Sequence, residues 1–248
     1  CALPISLRRY AVLILVGIVL YGPTLDNWRY WWDALVDIGF AGILALPVLR
    51  CGAVARTSAA AVYLALYQIC YSLLGYGAWT LENSIDGGPL GIFPWTAIFL
   101  FGTVLQDLAA TRESRRILLG CAVWGTALCA AGWLLKLEWP GVKAAWPFSQ
   151  RGMLISYPLY SAGLCFFTYL PLHALSDVWR RPLPHLTAFG MNPLVLYLVQ
   201  QALGDMYGPL VVSPDAGGWG ALGGFVVFYL ICYAVARKLY RDKVIIKL

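Results

Sequence analysis

Long apolar runs, broken only by short polar turns, limit what this sequence can fold into. Eight runs stand out: Tyr10–Leu25, Trp32–Leu49, Thr57–Tyr76, Pro89–Gln106, Ile117–Leu135, Gly152–Leu172, Leu186–Met206 and Trp219–Ala236. A bilayer core takes about 20 mostly apolar residues per helix, within a range of ~17–25. Runs without strict alternation argue against a membrane β-barrel. The chain is 60% apolar and 12% charged, whereas soluble domains average about 45–50% and about 25%. So little charge cannot cover a soluble surface. The connections are short and rich in Gly, Pro and Arg, with no internal repeat and no long linker. The expected fold is all-α: a polytopic membrane bundle of about eight transmembrane helices, in one domain covering residues 7–248. Cys1–Ser6 resembles a translated cloning or adapter remnant, and the first Met is Met153. The sequence therefore reads as an N-terminally truncated fragment; a processed chain with a lipidated Cys1 is the alternative.

The basic residues test the span count. With sides numbered alternately from Arg8, fourteen of the 18 Lys and Arg fall on the first side. The other side holds Arg29, Lys136, Lys143 and Arg151. The positive-inside rule makes the first side cytoplasmic and places both ends of the chain there. The acids lean the other way, and Trp28, Trp31, Trp32, Trp79, Trp139, Trp146 and Trp219 form an aromatic belt at the outer boundary. The excess of positive charge thus reflects topology. The cations are scattered over short segments and not gathered in one patch, so they are not evidence for nucleic-acid binding.

The seven Cys form no CxxC pair, and most lie inside apolar runs, where Cys acts as a small hydrophobe. Disulfides and metal ligation are not expected. His173 and His185 fall at cytoplasmic helix ends and read as solvated interfacial residues. The outer side has no His.

Ionisable groups within spans are costly and mark candidate sites. Asp33 and Asp37 are four apart at the start of the second span and share a helix face. Placement at a helix N-terminus explains Asp33; it explains Asp37, over one turn deeper, less well. Asn192 precedes Pro193, which kinks the seventh span and frees carbonyls that Asn192 can serve. Gln200, Gln201 and Asp205 extend a polar stripe outward. With Gln68, these residues line a substrate cavity or make interhelical hydrogen bonds. The acidic loop from Glu82 to Gly91 carries the breaker Gly87-Gly88-Pro89 and is either a solvated turn or a substrate-facing re-entrant turn. Arg112, Arg115 and Arg116 cluster on the cytoplasmic side, as do Arg180 and Arg181. They hold an anionic donor such as a coenzyme A phosphate, or serve topology and lipid headgroups.

Three patches together resemble a known family. They are Trp32-Asp33-Ala34-Leu35-Val36-Asp37-Ile38-Gly39, then Asp86-Gly87-Gly88-Pro89-Leu90-Gly91, then Phe189-Gly190-Met191-Asn192-Pro193-Leu194 with Tyr197. The combination is similar to the heparan-alpha-glucosaminide N-acetyltransferase-like and YeiB-like membrane acyltransferases. The resemblance implies an enzyme in the bacterial plasma membrane that moves an acyl group from cytosolic acyl-CoA, often acetyl-CoA, to a sugar or glycan acceptor on the outer side. Acyl-CoA is then a co-substrate, with no bound cofactor and no metal. Asp37, Asp86 and Asn192 are the positions carried over by motif. Asp86 and Asn192 are the catalytic candidates, and Asp33, Asp37, Gln68, Gln200 and Asp205 contact the acceptor. The resemblance also implies a His near the outer end of an early helix. This sequence has none there, so the expected base lies in a missing N-terminal segment and the fragment alone is expected to be inactive. Expected partners are the bilayer, a small-molecule or glycan acceptor and, as an open alternative, a second copy of the chain. Two other readings stand beside this one. A secondary transporter or flippase for a polar molecule fits the polar stripe and intramembrane prolines, and a non-catalytic scaffold would tolerate Ala at Asp37, Asp86 and Asn192.

Overall fold

A computed structural model of the chain describes residues 2–22, 26, 30–138, 146–211 and 217–246, with side chains in 6–22, 26, 30–138, 146–204 and 217–246. It is all-helical, with no strand among the described residues. The helices are α1 (Ala2–Tyr21), α2 (Ala34–Ala45), α3 (Ala53–Leu73), α4 (Tyr76–Asn83), α5 (Ile92–Ala110), α6 (Ser114–Lys136), α7 (Ser156–His173), α8 (Pro184–Met191), α9 (Pro193–Val211) and α10 (Gly218–Arg241). A 3-10 turn, Gly88–Gly91, leads into α5, and a π-helical turn, Ala174–Val178, follows α7.

Four segments are long and apolar enough to cross a membrane: Ala53–Leu73, Gly88–Ala110, Ser114–Lys136 and Gly218–Arg241. Each corresponds to one of the runs read from the sequence. The run Trp32–Leu49 forms a helix of only 12 residues. The run Leu186–Met206 is divided at Asn192 into α8 and α9. Pro193 cannot donate to the preceding turn, so the helix breaks there and does not merely kink. Residues 2–6, set aside above, lie within α1.

The chain forms two compact units, Cys1–Val178 and Trp179–Leu248. In the first, α5 is central and packs on α2, α3, α6 and α7. Leu64, Leu100, Phe101, Ile117 and Phe166 fill its core. Outward faces stay apolar: Val62, Leu66, Leu119, Val123 and Leu134 are all exposed. Such faces suit lipid, because every helix satisfies its own backbone and leaves only side chains to meet the chains of the bilayer. In the second unit α10 packs on α8 and α9 around Ala188, Leu196 and Ala236.

One ion pair ties α3 to α5. Arg56, 5% exposed, pairs through Nη2 with Asp107 Oδ2, whose side chain is 57% exposed. Removing the acid strands a buried guanidinium. Asp107→Ala should therefore cost about 1–3 kcal/mol, less than the ~3–5 kcal/mol of a fully buried pair because water reaches this one. Arg56→Met, which removes the charge itself, should cost less. Thermal midpoints of the two variants in one detergent decide the order.

Candidate functional site

The first unit gathers three acids from distant parts of the sequence. Asp33 is the N-cap residue of α2, with extended backbone (φ −112°, ψ 170°), yet its side chain makes no capping bond to the helix. It hydrogen-bonds the Asp86 carboxyl instead. Asp37 lies one turn further along α2 and is fully buried, and neither carboxyl oxygen has a hydrogen-bond partner. Asp86 is 3% exposed.

The loop that carries Asp86 is shaped by two glycines. Gly87 and Gly88 both adopt left-handed backbone (φ 91° and 63°), which L side chains rarely tolerate. The Tyr76 hydroxyl clips the turn closed, donating to the Gly87 carbonyl (2.7 Å) and accepting from the Leu90 amide (3.1 Å). The segment before α7 crosses the same loop. Gln150 Nε2 donates to Asp86 Oδ1 (3.0 Å), Arg151 Nε donates to the Ser84 carbonyl (2.9 Å), and the Gly87 amide donates to the Arg151 carbonyl (3.2 Å). Gly91 closes the floor: a Cβ there would stand 2.5 Å from the Asp86 carbonyl oxygen and 3.4 Å from Asp37 Oδ2. The loop is thus packed against α4 and the segment before α7, with Ser84, Asp86, Gly87 and Gly88 buried, and is not a solvated turn.

Burial pushes the Asp86 carboxyl up to about 6. The Gln150 amide opposes this by favouring the charged form, and the neighbouring Asp33 adds to it. An acid poised there changes charge near neutral pH, as a general base or proton carrier does. Among the described residues no three His, Cys, Asp or Glu side chains are arranged to hold a metal ion. The six described cysteines are free.

The other candidate residues make contacts of their own. Gln68 accepts from the Ile155 amide (3.2 Å) and donates to Ser72 Oγ (2.8 Å), tying α3 to the start of α7. Asn192 is 2% exposed within the second unit. Its amide donates to the Val244 carbonyl (2.8 Å) and accepts from the Ile246 amide (2.9 Å), so both ends are engaged in holding the chain after α10. That is a different use from the kink-capping expected of it. Gln200 is exposed on α9, and the Asp205 side chain falls outside the described residues. Arg112, Arg115 and Arg116 are exposed at the turn between α5 and α6, with Arg116 Nε 2.7 Å from Glu113 Oε2. Arg180 and Arg181 are exposed at the start of the second unit.

His173 departs from its solvated expectation. It is 3% exposed and hydrogen-bonded at both ring nitrogens. Packing beneath the α6 N-terminus removes it from water. Gln150 and Tyr76, which organise the acidic site, carried no sequence signal that singled them out, and Arg151 stood out only as one of few cations on its side.

No protein-family model, no curated protein and no solved structure matches the chain. Fold and site define it as a chain whose described residues are all-helical, with four helices long and apolar enough to cross a membrane and, within the first unit, a buried acidic cluster.

Proposed function

We propose that this chain is part of a membrane acyltransferase, which moves an acyl group from cytosolic acyl-CoA to a sugar or glycan hydroxyl or amine on the outer side. The remaining runs complete about eight spans, with both ends of the chain cytoplasmic and Arg112, Arg115 and Arg116 holding coenzyme A phosphates. One observation carries the reading. Asp37 and Asp86, the two acids singled out by family-like motifs, meet in a single buried cluster although they belong to different motifs. Acyl transfer needs a group that accepts the acceptor's proton and a polar environment that orients it. Asp86 suits the first task and Asp37, with two unpaired oxygens, suits the second.

The test uses membranes carrying the complete polypeptide, labelled acetyl-CoA on the cytoplasmic face and an amphipathic amino sugar on the other. Label should appear in the sugar, and Asp86→Asn should lower the rate by about 100-fold or more. No label in the sugar, or full activity in Asp86→Asn, would falsify the reading. The wild-type rate should rise as pH passes upward through about 6, where Asp86 loses its proton. Stability should move the other way. The folded state holds this proton more tightly than the unfolded chain, so the group's contribution is full below the ordinary 3.8 and is lost as pH rises through about 6. Asp86→Asn should flatten both profiles.

The unpartnered Asp37 also favours a second reading, transport coupled to protons or cations. Vesicles that move a polar solute without acyl-CoA, and do so only with Asp37 intact, would select it.

A further inference from the structure

At the end of the first unit that carries Arg112, Arg115 and Arg116, side chains of three successive elements meet. His173 is the last residue of α7, Asp177 belongs to the π-helical turn behind it, and Ser114 opens α6. His173 Nδ1 lies 2.7 Å from Asp177 Oδ2, and Nε2 lies 3.3 Å from Ser114 Oγ. Tyr169 stacks on the imidazole, with ring centres 6.0 Å apart and planes 19° apart. The ring is buried while Ser114 is exposed. A carboxylate at Nδ1 fixes the tautomer that carries its proton there. That leaves Nε2 free to accept the serine proton.

The backbone around Ser114 adds a second element. The first amide of α6 with a helical acceptor is that of Ile117, bonded to the Glu113 carbonyl at 3.0 Å. The amides of Ser114, Arg115 and Arg116 therefore have no acceptor within the helix. They stand where negative charge on an oxygen beside Ser114 would be stabilised by donors and by the helix dipole. Exposed guanidinium groups of Arg112 and Arg115 flank the same turn and suit a phosphate-bearing leaving group.

We propose that Ser114, His173 and Asp177 form a nucleophilic relay that takes an acyl group from an acyl thioester. Ser114 Oγ attacks the thioester carbonyl carbon as His173 Nε2 takes the hydroxyl proton. The first-turn amides of α6 face the oxyanion. The C–S bond then breaks, the thiolate recovers the proton from His173, and the products are O-acylated Ser114 and a free thiol. Ser114 is the nucleophile, His173 the proton carrier, and Asp177 positions the ring. The choice of thioester rests on the acyltransferase reading; the nucleophile rests on the local geometry.

The full chain in lipid nanodiscs is treated with a fluorophosphonate probe and the adduct located by peptide mass spectrometry. Ser114 should be labelled, Ser114→Ala should not, and Asp177→Asn should be labelled at least tenfold more slowly. The Asp177 side chain is 57% exposed, so that variant should keep its fold. His173→Gln, which retains a side chain of similar reach, should also be slow. An unlabelled Ser114 in folded wild type, or equal rates in wild type and Asp177→Asn, overturns the relay. Isotopically labelled acetyl-CoA is used in a parallel reaction. An acetyl adduct on Ser114 supports the whole proposal. Probe labelling without an acetyl adduct supports the nucleophile and overturns the thioester donor. Acetyl transfer to sugar with Ser114 silent toward both reagents overturns the relay and leaves the acyltransferase reading standing.

Discussion

Asp37→Asn is expected to lower the proposed acyl transfer by roughly 100-fold or more while leaving the protein at least as stable as wild type. Asp37 is fully buried, and neither of its carboxyl oxygens has a hydrogen-bond partner. A buried polar group left unsatisfied costs about 1–3 kcal/mol, and more when it is charged. Two further buried acids, Asp33 and Asp86, lie close enough to interact with it. Asparagine keeps the shape and cannot ionise, so no like-charge repulsion with Asp33 and Asp86 can arise. Stability should hold or rise by about 1 kcal/mol. Activity should fall by roughly 100-fold or more, because a group that orients or deprotonates the acceptor contributes on that scale. The pair of measurements is a thermal midpoint in detergent and a transfer rate in membranes. A midpoint and a rate that fall together would assign Asp37 to the packing of α2 and remove it from the site.

The second large effect is structural. Gly163→Leu should separate α6 from α7 and leave little folded protein. A Cβ at Gly163 would stand 2.6 Å from Cys129 Sγ, 2.7 Å from the Cys129 amide nitrogen and 2.9 Å from the Gly125 carbonyl oxygen. At Gly132 it would meet the Ser156 carbonyl oxygen at 2.6 Å and the Tyr160 nitrogen at 2.8 Å. Most of these neighbours are backbone atoms, which cannot rotate away. In lipid no hydrophobic effect drives two helices together. Their association rests on close packing that small residues permit. Even one extra methylene in a packed interior costs about 1–3 kcal/mol, and Leu adds several carbons where there is room for none. Gly102→Ala is the control: a Cβ there meets nothing within 4 Å, and alanine favours the helix by up to about 1 kcal/mol. Retained folded yield in Gly163→Leu, read as a monodisperse peak in detergent, would show that α6 and α7 are held by other contacts. The same close approach of α6 and α7 lets α7 place His173 beneath Ser114.

The helices were legible because their signals are local. An apolar run of bilayer length, a Pro or Gly that ends it and an arginine beyond it are all properties of neighbouring residues. α3, α5, α6 and α10 follow that pattern, with ends shifted by a few residues. The four-residue spacing of Asp33 and Asp37 placed them on one face for the same reason. The Gly87-Gly88 breaker marked a turn, although its left-handed backbone became visible only in three dimensions.

What the sequence by itself determined is therefore the helical class, the apolar exterior of the spans and the positions where polar groups interrupt them. Only the tertiary structure decided which of those groups meet. It brought Asp86 to Asp33 and Asp37 through a turn clipped by Tyr76, set Gln150 against that carboxyl, and engaged the Asn192 amide with the chain after α10. It also placed Ser114 and Asp177 on opposite nitrogens of a histidine that had read as solvated. The reason is physical. Periodicity reports which face of a helix is apolar, but a buried polar group acquires its partners from other elements. Those contacts depend on how close the backbones come, which here is set by single glycines such as Gly91 and Gly163.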